Sequence, residues 1–123
     1  MSTAELYRRS GYQSPWVGYL AIENGVCVGT CGFKSAPQDM RVEIAYFTFP
    51  ENEGRGVATR MASELIRIAR HVLPSITIFA QTLAEDNAST TILKKLGFQF
   101  DGELMHPEDG KVWEWSLRAQ QLA

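Results

Sequence analysis

The chain has 123 residues, 45% of them hydrophobic and 21% charged, and a formal net charge of −2. One soluble globular domain over residues 1–123 fits that composition, and the lack of a basic cluster argues against nucleic acid as a partner. No apolar run approaches the roughly 20 residues of a membrane span and Met1–Glu5 has no signal-peptide pattern, so a cytoplasmic location without membrane partners is expected.

In chain order, Thr3 to Ser10 reads as a short helix closed by Gly11. Trp16 to Glu23 and Val26 to Lys34 read as strands joined by the hairpin signal Asn24-Gly25. Cys27 and Cys31 share the second of these strands about 13 Å apart, too far to bridge, and read as small apolar side chains with no metal spacing around them. Arg41 to Phe49 is a strand that Pro50 stops. Val57 to Val72 carries apolar residues at three- and four-residue steps (Ala58, Met61, Ala62, Leu65, Ile68, Ala69, Val72), the signature of an amphipathic helix, and Pro74 ends it. His71 near its end complements the helix dipole. Ile76 to Thr82 is the next strand. Asp86 or Asn87 caps a second helix that runs to Leu96, with Ile92, Leu93 and Leu96 inward and Gly97 at its C-terminal turn. Phe98 to Leu104 and Val112 to Leu117 form a terminal hairpin whose second strand points Trp113, Trp115 and Leu117 to one face. His106 sits in its turn.

The order of these elements places Arg41 to Thr82 as a strand, helix, strand crossover with parallel strands. The rest of the sheet is antiparallel, an α/β (α+β) architecture with a central mixed sheet. Of the two crossover strands, one leads into Glu53-Gly54-Arg55-Gly56-Val57-Ala58-Thr59 and the other into the capped second helix. Glycines allow the backbone to turn tightly and approach a ligand, and the helix that follows offers unpaired N–H groups to an anion. The segment lacks the Gly-Lys-Ser/Thr of a nucleotide-triphosphate loop, and Thr59 breaks the dinucleotide fingerprint.

The pattern Glu53 to Ala58 resembles motif A, Gln/Arg-x-x-Gly-x-Gly/Ala, of the GNAT superfamily of acetyl-CoA-dependent N-acetyltransferases. Asn87-Ala88-Ser89 through Leu93-Lys94-Lys95-Leu96-Gly97-Phe98 resembles motif B in the wording of the RimJ/RimL-like branch. Val42 to Phe47 and Val28 to Phe33 are similar to that branch as well, so the resemblance spans about Trp16 to Leu117. It implies the GNAT fold and acetyl-CoA (coenzyme A) as cofactor. It also implies that Phe47 and Thr48 offer main-chain groups to the pantetheine arm and thioester, while Gly54, Arg55, Gly56, Val57, Ala58 and Thr59 hold the pyrophosphate. Glu53 departs from the pattern and brings a carboxylate close to that anion. Asn87 either touches the cofactor or simply caps its helix.

For the chemistry, the resemblance implies direct attack of a primary amine on the thioester, the amine belonging to a protein N-terminus or a small molecule. Glu43 is the candidate general base, directly or through water, with an exposed strand carboxylate as the alternative reading. Family members often carry a tyrosine to protonate the leaving sulfur at the position where Leu93 stands. Ser89 is therefore the candidate hydrogen-bond donor to sulfur, with Tyr46 and Tyr12 as alternative phenols. The family's first strand is expected to be missing before Trp16, which would leave Trp16 to Glu23 as a sheet edge open to homodimer formation. Two other readings stay open: a non-catalytic acetyl-CoA-binding module or partner subunit, and a generic phosphate-binding domain.

Overall fold

The computed structural model describes residues 15–119 together with the backbone of residues 5–8. Its strands are β1 (Glu5–Arg8), β2 (Gly18–Glu23), β3 (Val26–Phe33), β4 (Arg41–Thr48), β5 (Thr77–Leu83), β6 (Gln99–His106) and β7 (Gly110–Leu117), with helices α1 (Val57–Val72) and α2 (Ala88–Lys95). All seven strands join one sheet in the order β1-β2-β3-β4-β5-β7-β6. Among the described residues only the β4–β5 pair is parallel, so the mixed, mostly antiparallel sheet with one parallel crossover is present as expected.

The hairpin between β2 and β3 turns at Asn24 and Gly25, with φ of 53° and 78°, the left-handed pair that a two-residue hairpin needs. Both helices pack on one face of the sheet. That face carries Tyr19, Cys31, Ile44, Ile78, Ala80 and Trp115, all buried against Met61, Leu65 and Leu93 of the helices. Alternation along each strand sends Thr30, Glu43, Ala45, Phe47, Phe79 and Gln81 to the other face. Neither helix covers it, and Phe47 is 56% exposed there.

The expected N-terminal helix is corrected. Residues Glu5–Arg8 are a strand paired antiparallel with Tyr19–Ile22, so the first strand is present. The described sheet is edged by β1 and β6, not by β2, and the edge that Trp16 to Glu23 was expected to offer a second copy is taken by β1. A four-residue strand has too short a period to register against a helical one, and only its pairing reveals it. Gly11 and Tyr12 lie outside the described residues. Val72 is also corrected: it is 46% exposed, while Val57 at the start of α1 is buried. No helix among the described residues is long and apolar enough to cross a membrane.

Candidate active site

The parallel ladder between β4 and β5 extends only over Arg41–Glu43 and Thr77–Phe79, and past Glu43 the strands part. Residues of an antiparallel pair present their main-chain groups alternately to one neighbour and the other. Lys34 N donates to Glu43 O and Phe49 N to Val28 O, both at 3.0 Å, which fixes the phase. Glu43, Ala45 and Phe47 are tied to β3, whereas Ile44, Tyr46 and Thr48 present their amides to the gap. Phe47 is thus engaged through its main chain with Thr30, and the expected pair of main-chain donors shifts from Phe47 and Thr48 to Tyr46 and Thr48. The shift follows from the strand's phase, which a sequence read alone does not supply.

The gap opens into a slot of about 650 Å³ lined by Tyr46 to Thr48, Asn52 to Gly54, Gly56 to Thr59 and, from α2, Ala88, Ser89, Thr91 and Ile92. On one wall Thr48 keeps its Oγ1 buried with no hydrogen-bond partner. An orphaned hydroxyl inside a wall of this kind is a cost that a polar ligand would offset. Burial pushes the Tyr46 phenol up to about 12, so it holds its proton throughout the neutral range.

After β4 the chain makes a 3₁₀ turn at Pro50–Asn52 and then passes Gly54 and Gly56, each with φ of 77°. Gly56 is the N-cap of α1 and supplies no side chain. The first hydrogen bond of the helix runs from Arg60 N to Gly56 O, so the N–H groups of Val57, Ala58 and Thr59 have no intrahelical acceptor. With the helix dipole behind them, they form a ready anion seat. Exposed Glu53 is on the same rim. Arg55 is turned away from the slot and its guanidinium donates to Asn52 Oδ1.

Ser89 is half-buried in the slot wall on the first turn of α2. Asn87 caps that helix, accepting from Thr90 N at 3.0 Å, and does not line the slot. Asp86 instead pairs at the surface with Lys94 at 3.6 Å. Glu43 is on the open face of the sheet, bound to Lys34 Nζ at 3.2 Å. It shares that face with Phe47, four residues and roughly 13 Å along the strand, and it is outside the slot. The structure therefore brings Phe47, Thr48, Glu53, Gly54, Gly56, Val57, Ala58, Thr59 and Ser89 together and leaves Glu43, Arg55 and Asn87 around them. His106 organises its own turn, its Nδ1 accepting from Glu108 N and Asp109 N.

Three residues at this site carry no sequence expectation. Asn52 is buried beneath the loop at 7% exposure, and Glu23 and Arg60 form an ion pair at its back. One signal was available: a cation such as Arg60 in the first turn of a helix opposes the dipole and needs a carboxylate nearby.

A family model described as an acetyltransferase (GNAT) domain matches residues 1–99. The uncharacterized N-acetyltransferase YoaA of Bacillus subtilis (strain 168) is 33% identical over 78 residues, 63% of this chain and 44% of that protein. The spermidine N(1)-acetyltransferase of Escherichia coli (strain K12) is 35% identical over 66 residues, 54% of this chain and 36% of that protein. The chain thus spans less than half the length of these relatives. Among solved structures, YncA of Salmonella typhimurium, determined with its cofactor acetyl-CoA, superposes with a TM-score of 0.74 at 22% identity. That match covers 89% of this chain and 68% of the other.

Proposed function

The chain belongs to the GNAT acetyltransferase family, and from that premise we propose that it transfers the acetyl group of acetyl-CoA to a primary amine by direct attack. The observation that carries the reading is the slot itself: a parted β4–β5 pair that opens onto a glycine turn and a bare helix N-terminus. Its residues fit the cofactor. The free amides of Tyr46 and Thr48 and the unpartnered Thr48 Oγ1 suit the amides of a pantetheine arm, and Gly54 to Thr59 suit a pyrophosphate. Bound acetyl-CoA supplies an activated thioester, and the protein's contribution is to orient it and stabilise charge.

In this reading the thioester lies between Thr48 and Ser89, and the Ser89 hydroxyl donates to the sulfur as the thiolate leaves. The acceptor approaches from the uncovered sheet face past Phe47. Glu43, on that face, takes up the amine proton through intervening water, since it is one strand length from the slot. Asn87 acts through the helix cap, and Arg55 adds positive charge behind the loop. The wording of α2, Asn87 to Phe98, supports a RimJ/RimL-like branch, while the acceptor is a protein N-terminus or a small amine. Likeness to a spermidine acetyltransferase makes polyamines the first acceptors to try.

The test is calorimetry with acetyl-CoA, followed by thiol release over a panel of polyamines, amino acids, aminoglycosides and peptide N-termini. Absence of acetyl-CoA binding at high micromolar concentration overturns the reading. The uncovered face around Glu43 and Phe47 favours a second reading, a non-catalytic acetyl-CoA-binding module or partner subunit. Binding without thiol release for any acceptor would select it.

A further inference from the structure

Behind the glycine turn, on the side away from the slot, a cavity of about 520 Å³ is lined by Glu23, Asn24, Val26, Val28, Asn52, Arg55 and Arg60. Arg60 crosses it. Its Nε and Nη2 donate to the two Glu23 carboxylate oxygens at 2.6 and 2.9 Å, a two-pronged geometry that fixes the guanidinium plane. From the other end, Nη1 donates to the carbonyl oxygen of Arg55 at 2.9 Å. The guanidinium lies so close over the turn that a Cβ on Gly56 would be 3.0 Å from Nη1.

Glu23 is an unusual place to put a carboxylate. It ends β2 on the helix-covered face and is only 7% exposed. Arg60's hydrogen bonds hold its carboxyl below the usual carboxylate range against the opposing effect of burial. The arrangement has a consequence across the loop. A trans peptide unit is planar, with its C=O and N–H pointing in opposite directions. Arg55 faces the rear cavity and Gly56 faces the slot. Pulling the Arg55 carbonyl rearward therefore turns the Gly56 N–H forward, into the space beside the free N–H groups of Val57, Ala58 and Thr59. Glycine at this position tolerates either orientation of the peptide, so an external restraint decides which one is populated.

We propose that Glu23 is a positioning residue for the donor: through Arg60 it fixes the Arg55–Gly56 peptide so that the Gly56 N–H is presented to the pyrophosphate of coenzyme A. The inference rests on the proposed cofactor site and deepens it. Glu23 touches no ligand; it preorganises an anion seat from the far side of the loop, so its contribution scales with the charge of the bound group.

Calorimetry with two donor fragments tests it: coenzyme A, which carries the pyrophosphate, and pantetheine, which does not. The variants are Glu23→Gln and Arg60→Lys, the second retaining the positive charge near Glu23 while losing the fork that reaches Arg55. Both are expected to weaken coenzyme A binding about tenfold and to leave pantetheine binding within twofold of the wild type. Equal weakening of the two fragments, or unchanged coenzyme A affinity in a folded Arg60→Lys protein, overturns the inference. Wild-type protein that binds coenzyme A no more tightly than pantetheine overturns the cofactor reading beneath it, an outcome distinct from failure of the variants.

Discussion

Asn87 and Thr90 cap α2 reciprocally: Thr90 N donates to Asn87 Oδ1 at 3.0 Å, and Asn87 N donates to Thr90 Oγ1 at 2.9 Å. Thr90 is itself almost fully buried, so the cap is anchored in the core as well as in the helix. Replacement of such a cap by alanine costs about 1 kcal/mol. Asn87→Ala should therefore lower the melting temperature by roughly 3–6 °C, while Asn87→Asp, an equally good cap, should retain it. Both outcomes are read from thermal denaturation. Coenzyme A affinity equal to wild type in Asn87→Asp would assign the residue to the helix alone; a selective loss of affinity would return it to the cofactor.

Glu53 is the residue least suited to its place. It is exposed on the rim of the slot, where the family pattern has Gln or Arg, and it faces the position proposed for a pyrophosphate. Exposed charge pairs typically interact by about 0.2–1 kcal/mol, and salt screens them. Glu53→Gln is expected to tighten coenzyme A binding about two- to fivefold at low ionic strength and less at 0.5 M salt. Calorimetry at two salt concentrations decides it, and unchanged affinity at both would place the carboxylate away from the phosphates.

The core thiol gives a pH-dependent signature. Burial, reinforced by the negative charge of Glu64, pushes Cys31 up to about 12 from an ordinary 9.0. Its folded value exceeds its unfolded one, so the neutral thiol contributes stability that is intact below pH 9 and declines as the pH rises toward 12. Cys31→Ala should flatten the alkaline limb of the stability profile. Cys27 is half-buried, with its Sγ donating to Gly29 O at 3.7 Å. A colourimetric thiol reagent at neutral pH should therefore modify Cys27 alone and reach Cys31 only after denaturation. Simultaneous modification of both would contradict this packing.

Much of this protein was legible because its signals are local. Asn24-Gly25 states its turn type outright, and α1 repeats its apolar residues over four turns. Gly54 and Gly56 mark positive φ where the chain must bend. What escaped the sequence depends on distant residues. The strand at Glu5–Arg8 exists through pairing with β2, and four residues carry no period of their own. The phase of β4, which decides that Thr48 and not Phe47 turns its amide to the gap, is set by the bonds of Glu43 and Phe49 to β3. Glu23 and Arg60, 37 positions apart, meet only because the β2–β3 turn comes to lie behind the glycine loop.

Ser89 and Glu43 divide the proposed chemistry between two places, and their variants should differ accordingly. Ser89 is in the slot wall, and a single neutral hydrogen bond contributes about 0.5–1.5 kcal/mol. Ser89→Ala should thus lower kcat roughly two- to tenfold with the pH profile unmoved. Glu43 is on the open face, paired with Lys34 at 3.2 Å. A general base contributes on the order of 10²–10⁴-fold, and Glu43→Gln should reduce turnover by a factor in that range. Measurement requires an acceptor identified by thiol release. If Glu43→Gln keeps its rate, the carboxylate is a surface partner of Lys34 and the amine proton leaves by another route.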